Sequence, residues 1–344
     1  LGYRCHVLAP EADGPAMQVV AARTVAAYDD PAALTAFANA CDVVTFEFEN
    51  VPAATLDILS PLVPCRPGVA ALRTAQDRLA EKRFFESAGL AVPPWRMVNT
   101  PRELQAAVNA IGLPAVLKTT RLGYDGRGQA VLRNAGDLEP AFSRLTPRPL
   151  ILEAFVPFER ELSAIAARGV DGTVVTYDAV ENRHAHHILD LSIAPAPVAD
   201  SVALAARSAV ARLAESLELV GLLALEMFLL PAGRLLANEM APRPHNSGHW
   251  TTDACLIGQF EMHIRAVTGL PLPDPARHHD AAMKNLVGPE SFARWRDLAG
   301  MEGVALHLYG KSDARAGRKL GHATRLFPRD SLRSMPDVAS LAPL

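Results

Sequence analysis

The sequence has no excess of positive charge: 34 lysine and arginine residues stand against 37 aspartates and glutamates, which leaves a formal net charge of −3. Proteins that bind nucleic acid over a broad surface usually carry a strong basic balance, so we expect no nucleic-acid partner. The chain also lacks an apolar run long enough to cross a bilayer, and we expect no membrane partner. With 49% hydrophobic and 21% charged residues, the composition is that of a globular protein, which we expect in the cytoplasm.

Paired cysteines and the common nucleotide-binding motifs are missing too. Cys5, Cys41, Cys65 and Cys255 lie far apart without a CxxC pair, which is typical of free thiols in a reducing compartment. No Walker A motif occurs, so a P-loop NTPase is excluded. No GxGxxG opens the chain, which leaves a dinucleotide oxidoreductase as a remote alternative.

The segments that are present alternate between strand and helix near the start of the chain. Residues 5–8 and 42–46 have strand composition, and residues 31–40 between them have helical spacing. This alternation predicts a parallel sheet with helices outside it. Further along, the pattern predicts one helix over residues 72–89 and an amphipathic helix over residues 202–219.

Two glutamates on a predicted β-hairpin are the most informative feature. A turn centred on Ala232 and Gly233 places Glu226 directly opposite Glu239, where two like charges repel each other. Mg²⁺ prefers carboxylate and phosphate oxygens and would remove this repulsion. The alternative is a pair of solvated surface glutamates, which we disfavour because apolar residues flank Glu226 on both sides.

A glycine-rich segment follows the predicted strand that ends at Lys118. Gly123, Gly126 and Gly128 allow the backbone amides to approach phosphate closely, and Lys118 is placed to reach a phosphate. An ordinary hairpin turn is the alternative. Asp125 and Arg127 within the segment favour a functional role.

Two polar segments near the C-terminal half contain further candidate ligands. The first, residues 239–249, holds Arg243 and two histidines, His245 and His249; a zinc site is the alternative, although no third ligand lies near in the sequence. The second, residues 311–322, is rich in lysine and arginine. It predicts a phosphate clamp, with a solvated basic face as the alternative.

A second histidine group invites a metal interpretation that we disfavour. His184, His186 and His187 lie on a predicted strand, where alternate side chains point to opposite faces of the sheet. The three imidazoles are therefore not expected to converge on one ion.

These motifs together resemble those of the N5-carboxyaminoimidazole ribonucleotide synthases, the ATP-grasp carboxylases of purine synthesis. The most specific part of the resemblance is the run from Pro242 to Trp250. The other motifs that carry it are Phe46 to Pro52, Asp77-Arg78 with Lys82, Lys118, Gly123 to Gln129, Glu153 to Val156, Glu161, Asn238-Glu239, and Gly317 to His322.

The resemblance implies an α/β (mixed α+β) fold of the ATP-grasp type in three lobes. Residues 1–71 would form a truncated, Rossmann-like pre-ATP-grasp lobe whose first strand and glycine turn are missing. Residues 72–270 would form the ATP-grasp domain, and residues 271–344 a small C-terminal lobe.

The resemblance also implies an activity. The chain would use ATP and bicarbonate to carboxylate aminoimidazole ribonucleotide to N5-carboxyaminoimidazole ribonucleotide, releasing ADP and phosphate, with Mg²⁺ as cofactor and as a homodimer. One alternative is another ATP-grasp ligase, such as a formate-dependent glycinamide ribonucleotide transformylase. Another, from a different class, is a catalytically dead nucleotide-binding protein.

Each matching position inherits an implied role from this resemblance. The catalytic residues would be Asp125, Arg127, His245 and Lys311, and the metal ligands Glu226 and Glu239. ATP would contact Arg78, Lys118, Gly123, Tyr124, Asp125, Gly126, Arg127, Gly128, Gln129, Glu153, Ala154, Phe155, Val156, Glu161, His184, Asn238 and Glu239. The ribonucleotide would contact Tyr124, Asp125, Arg243, His245, Asn246, Ser247, Lys311 and Arg318.

Overall fold

The computed structural model describes residues 1–121 and 128–334. Within these ranges the strands form three sheets of two, four and nine strands. Gly123, Tyr124, Asp125, Gly126 and Arg127 of the predicted glycine-rich segment lie outside the described residues. No helix in the described ranges combines the length and the apolar character that crossing a bilayer requires.

The first region is built on a parallel pair of strands, and the second of them, residues 22–25, was not predicted from the sequence. Its elements are β1 (His6–Ala9), β2 (Ala22–Val25), α1 (Pro31–Asn39), α2 (Ala53–Leu59) and α3 (Val69–Ala75). The carboxylate of Asp30 caps α1 by accepting from the backbone amides of Ala32 and Ala33 at 3.0 and 3.1 Å.

The strand predicted over residues 42–46 was wrong. Only an isolated bridge forms there, between Val44 and Cys65. The partner segment contains Pro64 and Pro67, which have no amide hydrogen to donate, so a longer ladder cannot develop on either side of Cys65.

The single helix predicted over residues 72–89 is in fact two. A break at Gln76 and Asp77 separates α3 from α4 (Arg78–Ser87). The Asp77 carboxylate caps α4 by accepting from the amides of Leu79 and Ala80 at 3.0 and 3.2 Å.

The four-stranded sheet is antiparallel and carries two helices. Its strands, in spatial order, are β3 (Trp95–Val98), β6 (Leu150–Ala154), β4 (Ala115–Thr119) and β5 (Gln129–Leu132). Helices α5 (Pro101–Ile111) and α6 (Leu138–Leu145) pack against it, and Leu104, Leu117 and Leu150 are almost fully buried between them.

The nine-stranded sheet is antiparallel and is the largest of the three. In spatial order it contains β12 (Arg234–Ala241), β11 (Gly221–Leu230), β7 (Arg160–Arg168), β9 (Val180–Ala185), β10 (Ile188–Ala194), β13 (His279–Val287), β15 (Lys319–Pro328) and β14 (Val304–Leu308), with β8 (Val174–Thr176) paired to β7. The sheet continues without interruption across the boundary predicted between residues 270 and 271.

Among the described residues, five helices follow β10, and the longest packs on the nine-stranded sheet. They are α7 (Asp200–Ser216), α8 (Thr251–Ala254), α9 (Gln259–Thr268), α10 (Gly288–Ala293) and α11 (Trp295–Ala299). The apolar stripe predicted for α7 is confirmed, because Val202, Ala206, Ala209 and Leu213 are buried.

The segment before α8 approaches β7 so closely that it requires a glycine. A Cβ atom on Gly248 would overlap the side chain of Ile165 and lie 2.6 Å from the Oε1 atom of Gln259. Both neighbours are buried, so neither can move away freely.

We therefore expect Gly248→Ala to lower the free energy of unfolding by about 1–3 kcal/mol, the usual cost of overpacking a core. Gly14→Ala is the matched control, because its new Cβ would meet only Met17 at 4.0 Å. Chemical denaturation of both variants measures the difference. Equal stabilities would contradict the close packing of Gly248.

Candidate active site

A buried ion cluster joins the two larger sheets. The Lys118 Nζ atom lies 3.0 Å from Glu153 Oε2, and the Lys82 Nζ atom lies 3.6 Å from the same oxygen. Lys82 also donates to the backbone carbonyl of Asn238 at 2.7 Å. Burial alone would raise the pKa of Glu153, but the two ammonium groups lower it to about 2. Glu153 is therefore ionised throughout the physiological range.

Helix α4 supplies two further contacts to β12. The Glu81 carboxylate accepts from the backbone amide of Met240 at 2.7 Å, and burial raises the pKa of Glu81 to about 8. Arg78 Nη1 lies 3.3 Å from Glu239 Oε2. Lys82 carried no predicted role, and Glu81 was not predicted as a site residue. Glu81 and Lys82 follow Arg78 by three and four residues on one helix. This spacing indicates that the three side chains lie on the same face of the helix.

The cross-strand pairing of Glu226 with Glu239 is confirmed. The register expected nearer the turn was wrong, because Met227 pairs with Ala237 and Leu230 with Arg234. A bulge at Asn238 supplies the extra residue that brings the two glutamates opposite each other. The same bulge leaves the Asn238 carbonyl as the acceptor for Lys82.

The two glutamates form a strained electrostatic pair. The Glu226 side chain is 18% exposed and that of Glu239 is 45% exposed. Burial first, and then the charge of Glu239, raise the pKa of Glu226. A pair of carboxylates that repel each other in a partly buried site matches the oxygen donors that Mg²⁺ prefers.

His245 lies next to this pair with its protonation fixed by its neighbours. Its Nε2 atom is 3.4 Å from Glu226 Oε1, and the Ser247 backbone amide donates to its Nδ1 atom at 3.3 Å. Because a backbone amide can only donate, Nδ1 is an acceptor and the proton of the neutral ring is on Nε2. Burial, followed by the charge of Arg243, holds the pKa of His245 well below its usual range, so the neutral ring predominates.

A chain of buried hydroxyl and amide groups supports the same tautomer. Ser192 donates to Asn182 at 2.9 Å, Asn182 donates to Ser163 at 2.9 Å, and Ser163 donates to Ser247 at 2.8 Å. The Ser247 hydroxyl is then left to donate to His245 Nδ1, 2.8 Å away. Sequence reasoning missed Ser163, Asn182 and Ser192, since they lie on separate strands and form no motif.

Gln259 holds the backbone of His245 from the other side. Its Oε1 atom accepts from the His245 amide at 2.9 Å, and its Nε2 atom donates to the His245 carbonyl at 2.7 Å. The Gln259 side chain is fully buried on α9. This residue was also missed, because a single glutamine on a helix carries no signal in the sequence.

Three predicted substrate contacts are engaged with other residues of the chain. Arg243 donates to the carboxylate of Glu49, which lies in the motif of residues 46–52. Burial opposes ionisation of Glu49, but the Arg243 guanidinium holds its pKa below the usual value. Asn246 exchanges two hydrogen bonds with the amide of the buried Asn285, at 2.8 and 3.1 Å. The Ser247 hydroxyl is occupied in the chain described above.

The basic segment, residues 311–322, precedes β15 and includes its first residues. Lys311 Nζ donates to the Lys319 carbonyl at 2.9 Å, and Arg318 donates to Asp313 at 3.0 Å. Burial, followed by the charge of Arg318, lowers the pKa of Lys311. The Lys319 ammonium lowers the pKa of Glu226, so it lies within electrostatic reach of the carboxylate pair. Lys319 belongs to the basic segment of residues 311–322 that was predicted to form a phosphate clamp.

Glu161 and His184, which were predicted to contact ATP, line a cavity of about 620 Å³. Glu161 and His184 form an ion pair on its wall, which is lined by residues 158–161 and 181–184. The Phe158 ring stacks on Phe228 with 4.9 Å between centroids. The backbone amide of Ala154 donates to the Pro94 carbonyl at 2.8 Å, so any contact of this residue with adenine would have to use another atom.

The two histidine groups that allowed a metal interpretation do not converge. His184 pairs with Glu161, whereas His186 and His187 lie in the β9–β10 turn with positive φ values. Neither these histidines nor His245 and His249 belong to a three-ligand group among residues 1–121 and 128–334.

Comparison with known proteins covers almost the whole chain. Residues 1–76 match the ribonucleotide synthetase preATP-grasp domain, residues 83–260 the ATP-grasp domain, and residues 281–331 the phosphoribosylaminoimidazole carboxylase C-terminal domain. The N5-carboxyaminoimidazole ribonucleotide synthase of Brucella melitensis is 48% identical over 330 residues, which are 95% of this chain and 91% of that protein.

Solved structures agree with the sequence match. The ADP complex of an N5-carboxyaminoimidazole ribonucleotide synthetase superposes with a TM-score of 0.92 at 41% identity, covering 96% of this chain and 88% of that one. The Aspergillus clavatus synthase in complex with ADP and aminoimidazole ribonucleotide gives a TM-score of 0.88 at 29% identity, covering 94% and 87% of the two chains.

The raised pKa of Glu226 gives a pH-dependent prediction for the metal-free protein. A carboxyl pKa above its ordinary value of 4.5 means that the folded state binds the proton more tightly than the unfolded state. Stability therefore falls as pH rises above that value. Glu226→Gln removes this loss, and we expect it to raise the unfolding midpoint more at about pH 8 than at about pH 5.

Thermal unfolding at both pH values measures the effect. Glu215→Gln, which changes an exposed glutamate on α7, serves as the control and should show no such pH-dependent gain. A Glu226→Gln variant that tracks the wild type at both pH values would contradict the electrostatic assignment.

Proposed function

Because this chain belongs to the N5-carboxyaminoimidazole ribonucleotide synthase family, we propose that the site around Glu226, Glu239 and His245 is where it carries out that family's reaction. The chain is an ATP-grasp ligase of purine biosynthesis. It catalyses the ATP-dependent carboxylation of aminoimidazole ribonucleotide to N5-carboxyaminoimidazole ribonucleotide. The observation that carries the assignment of the site is the cross-strand pair of carboxylates with a neutral, oriented imidazole beside it.

The carboxylate pair fits a Mg²⁺ ion. Glu226 and Glu239 offer oxygen donors, and their mutual repulsion is relieved when a cation binds between them. When bound, Mg²⁺ supplies positive charge that stabilises the transferring phosphoryl group. The bulge that leaves Asn238 unpaired in the ladder is what places both carboxylates together.

In this proposal ATP binds between the four-stranded and the nine-stranded sheets. Lys118 and Arg78 are held by Glu153 and Glu239, and both carry charge suited to the phosphates. The buried Glu153 Oε1 atom has no hydrogen-bond partner among the described residues, so it can accept from a ligand hydroxyl or amine. The predicted contacts of ATP with Gly128, Gln129, Ala154, Phe155 and Val156 stay part of the proposal.

Bicarbonate is the proposed carboxyl donor. It attacks the γ-phosphorus of ATP, ADP leaves, and the carboxyphosphate that forms releases CO₂ and phosphate. The amine of the imidazole then attacks CO₂ and loses a proton. His245 presents its Nε2–H to an oxyanion, and because its Nδ1 atom accepts from Ser247 we assign it as a hydrogen-bond donor rather than a base.

The ribonucleotide is proposed to bind on the side of the basic segment. Arg243 is oriented by Glu49, while Lys311 and Arg318 provide charge for the substrate phosphate. Asp125, Arg127 and Tyr124 complete the proposed site from outside the described residues. A homodimer, a cytoplasmic location and the three-lobe division at residues 71 and 270 are also proposed from the family.

The phosphate assignment predicts a selective effect on one substrate. Arg318→Ala should raise the KM for aminoimidazole ribonucleotide about tenfold, the scale of one charge-assisted hydrogen bond, and should leave the KM for ATP near its wild-type value. Arg315→Ala is the matched control, since this arginine is in the same segment but is 75% exposed. Equal changes in both KM values would mean that Arg318 supports the fold or ATP instead.

The carboxyl donor is tested with bicarbonate that carries a heavy oxygen isotope. Carboxyphosphate transfers one bicarbonate oxygen to phosphorus, so we expect the label in the released phosphate whenever product forms. Unlabelled phosphate would leave direct capture of CO₂ as the route. Replacing bicarbonate with formate, and aminoimidazole ribonucleotide with glycinamide ribonucleotide, tests for the alternative formate-dependent ligase. ADP release at the same rate with and without each acceptor would favour a protein without ligase activity.

A further inference from the structure

Three potential metal ligands converge beside His249, the last residue of the His245–His249 segment. Asp253 lies on α8, His307 on β14 and His322 on β15, and one ligand atom from each lies within 4.8 Å of the other two. The residues are far apart in the sequence and come from three different elements. None of them belongs to the proposed Mg²⁺ or substrate contacts.

Asp253 and His307 are in direct contact. The His307 Nε2 atom is 2.9 Å from one Asp253 oxygen and 3.1 Å from the other. His307 pairs directly with His322 across β14 and β15, and the two rings stack with 4.6 Å between their centroids. The strand pairing therefore holds both imidazoles beside the carboxylate.

His322 carries an unsatisfied nitrogen. Its side chain is 3% exposed, and its buried Nε2 atom has no hydrogen-bond partner among the described residues. Buried polar atoms nearly always have a partner, so this one calls for an explanation. Its Nδ1 atom lies 2.7 Å from the Tyr309 hydroxyl. If Nδ1–H donates to Tyr309, Nε2 presents a lone pair, which is the usual arrangement of a metal-bound histidine.

Access and charge are compatible with an ion at this position. The His307 side chain is 34% exposed, which gives an ion a path from solvent to the buried His322. Asp253 adds a carboxylate oxygen to the two imidazoles as a ligand for a cation. On the other face of His322, the His249 ring stacks at 4.9 Å and closes the site off.

We propose that Asp253, His307 and His322 bind a divalent transition-metal ion, of the class of Zn²⁺ or Co²⁺, with a water molecule in the remaining position. Two imidazole nitrogens and one carboxylate oxygen suit these ions, whereas Mg²⁺ prefers sites made of oxygen alone. The ion joins α8, which follows the His245–His249 segment, to the strands that flank Lys311. Its role is to fix the basic segment against the active-site segment.

The test is a Co²⁺ titration of the full chain after treatment with a chelator, followed by visible absorption. Excess Mg²⁺ is present to occupy the Glu226 and Glu239 pair. The wild type should bind one equivalent of Co²⁺ with a ligand-field spectrum of low coordination number. His307→Gln, which changes a partly exposed ligand, should weaken binding by at least tenfold, and Tyr309→Phe should weaken it by about 10–100-fold.

Two controls separate this site from other sources of binding. His279→Gln changes an exposed histidine on β13 and should bind Co²⁺ as the wild type does. Glu239→Gln should also bind normally, because the proposed Mg²⁺ site is independent of this one. Circular dichroism checks that each variant is folded. Wild-type Co²⁺ affinity in folded His307→Gln, or no stoichiometric binding by the wild type, would overturn the proposal.

Discussion

The geometry of the site depends on the contacts made by the buried side chain of Lys82. Its ammonium group contacts Glu153 on the four-stranded sheet and the Asn238 carbonyl on the nine-stranded sheet, and only 1% of the side chain is exposed. Burying such a charge costs several kcal/mol unless its partners are well placed. The two sheets are therefore held in one relative position, and Lys118 and Arg78 are presented to the space between them.

The carboxylate pair shows how a locally unfavourable arrangement serves binding. Facing glutamates destabilise the hairpin on which they lie, and burial makes the repulsion stronger. A cation relieves it, so metal affinity comes partly from strain that is already present in the metal-free fold. The bulge at Asn238 links this strain to Lys82, because the same irregularity aligns Glu226 with Glu239 and supplies the carbonyl that Lys82 binds.

The surroundings of His245 determine which nitrogen of its ring carries the hydrogen atom. The ring is surrounded by donors on its Nδ1 side and by a carboxylate on its Nε2 side, so only one neutral tautomer satisfies all of its neighbours. Gln259 fixes the backbone and Ser247 fixes the ring. An oriented, neutral donor of this kind stabilises developing negative charge without having to reorganise.

The sequence by itself determined the family, the helix over α7, the pairing of Glu226 with Glu239 and the main polar motifs, because each has a local pattern. The tertiary structure alone decided the break before α4, where Asp77 competes for the helix amides, and the bulge at Asn238, which has no signature in composition. It also decided the clustering of Ser163 with Asn182. Contacts between strands distant in sequence depend on register and packing, and neither is encoded in the spacing of nearby residues.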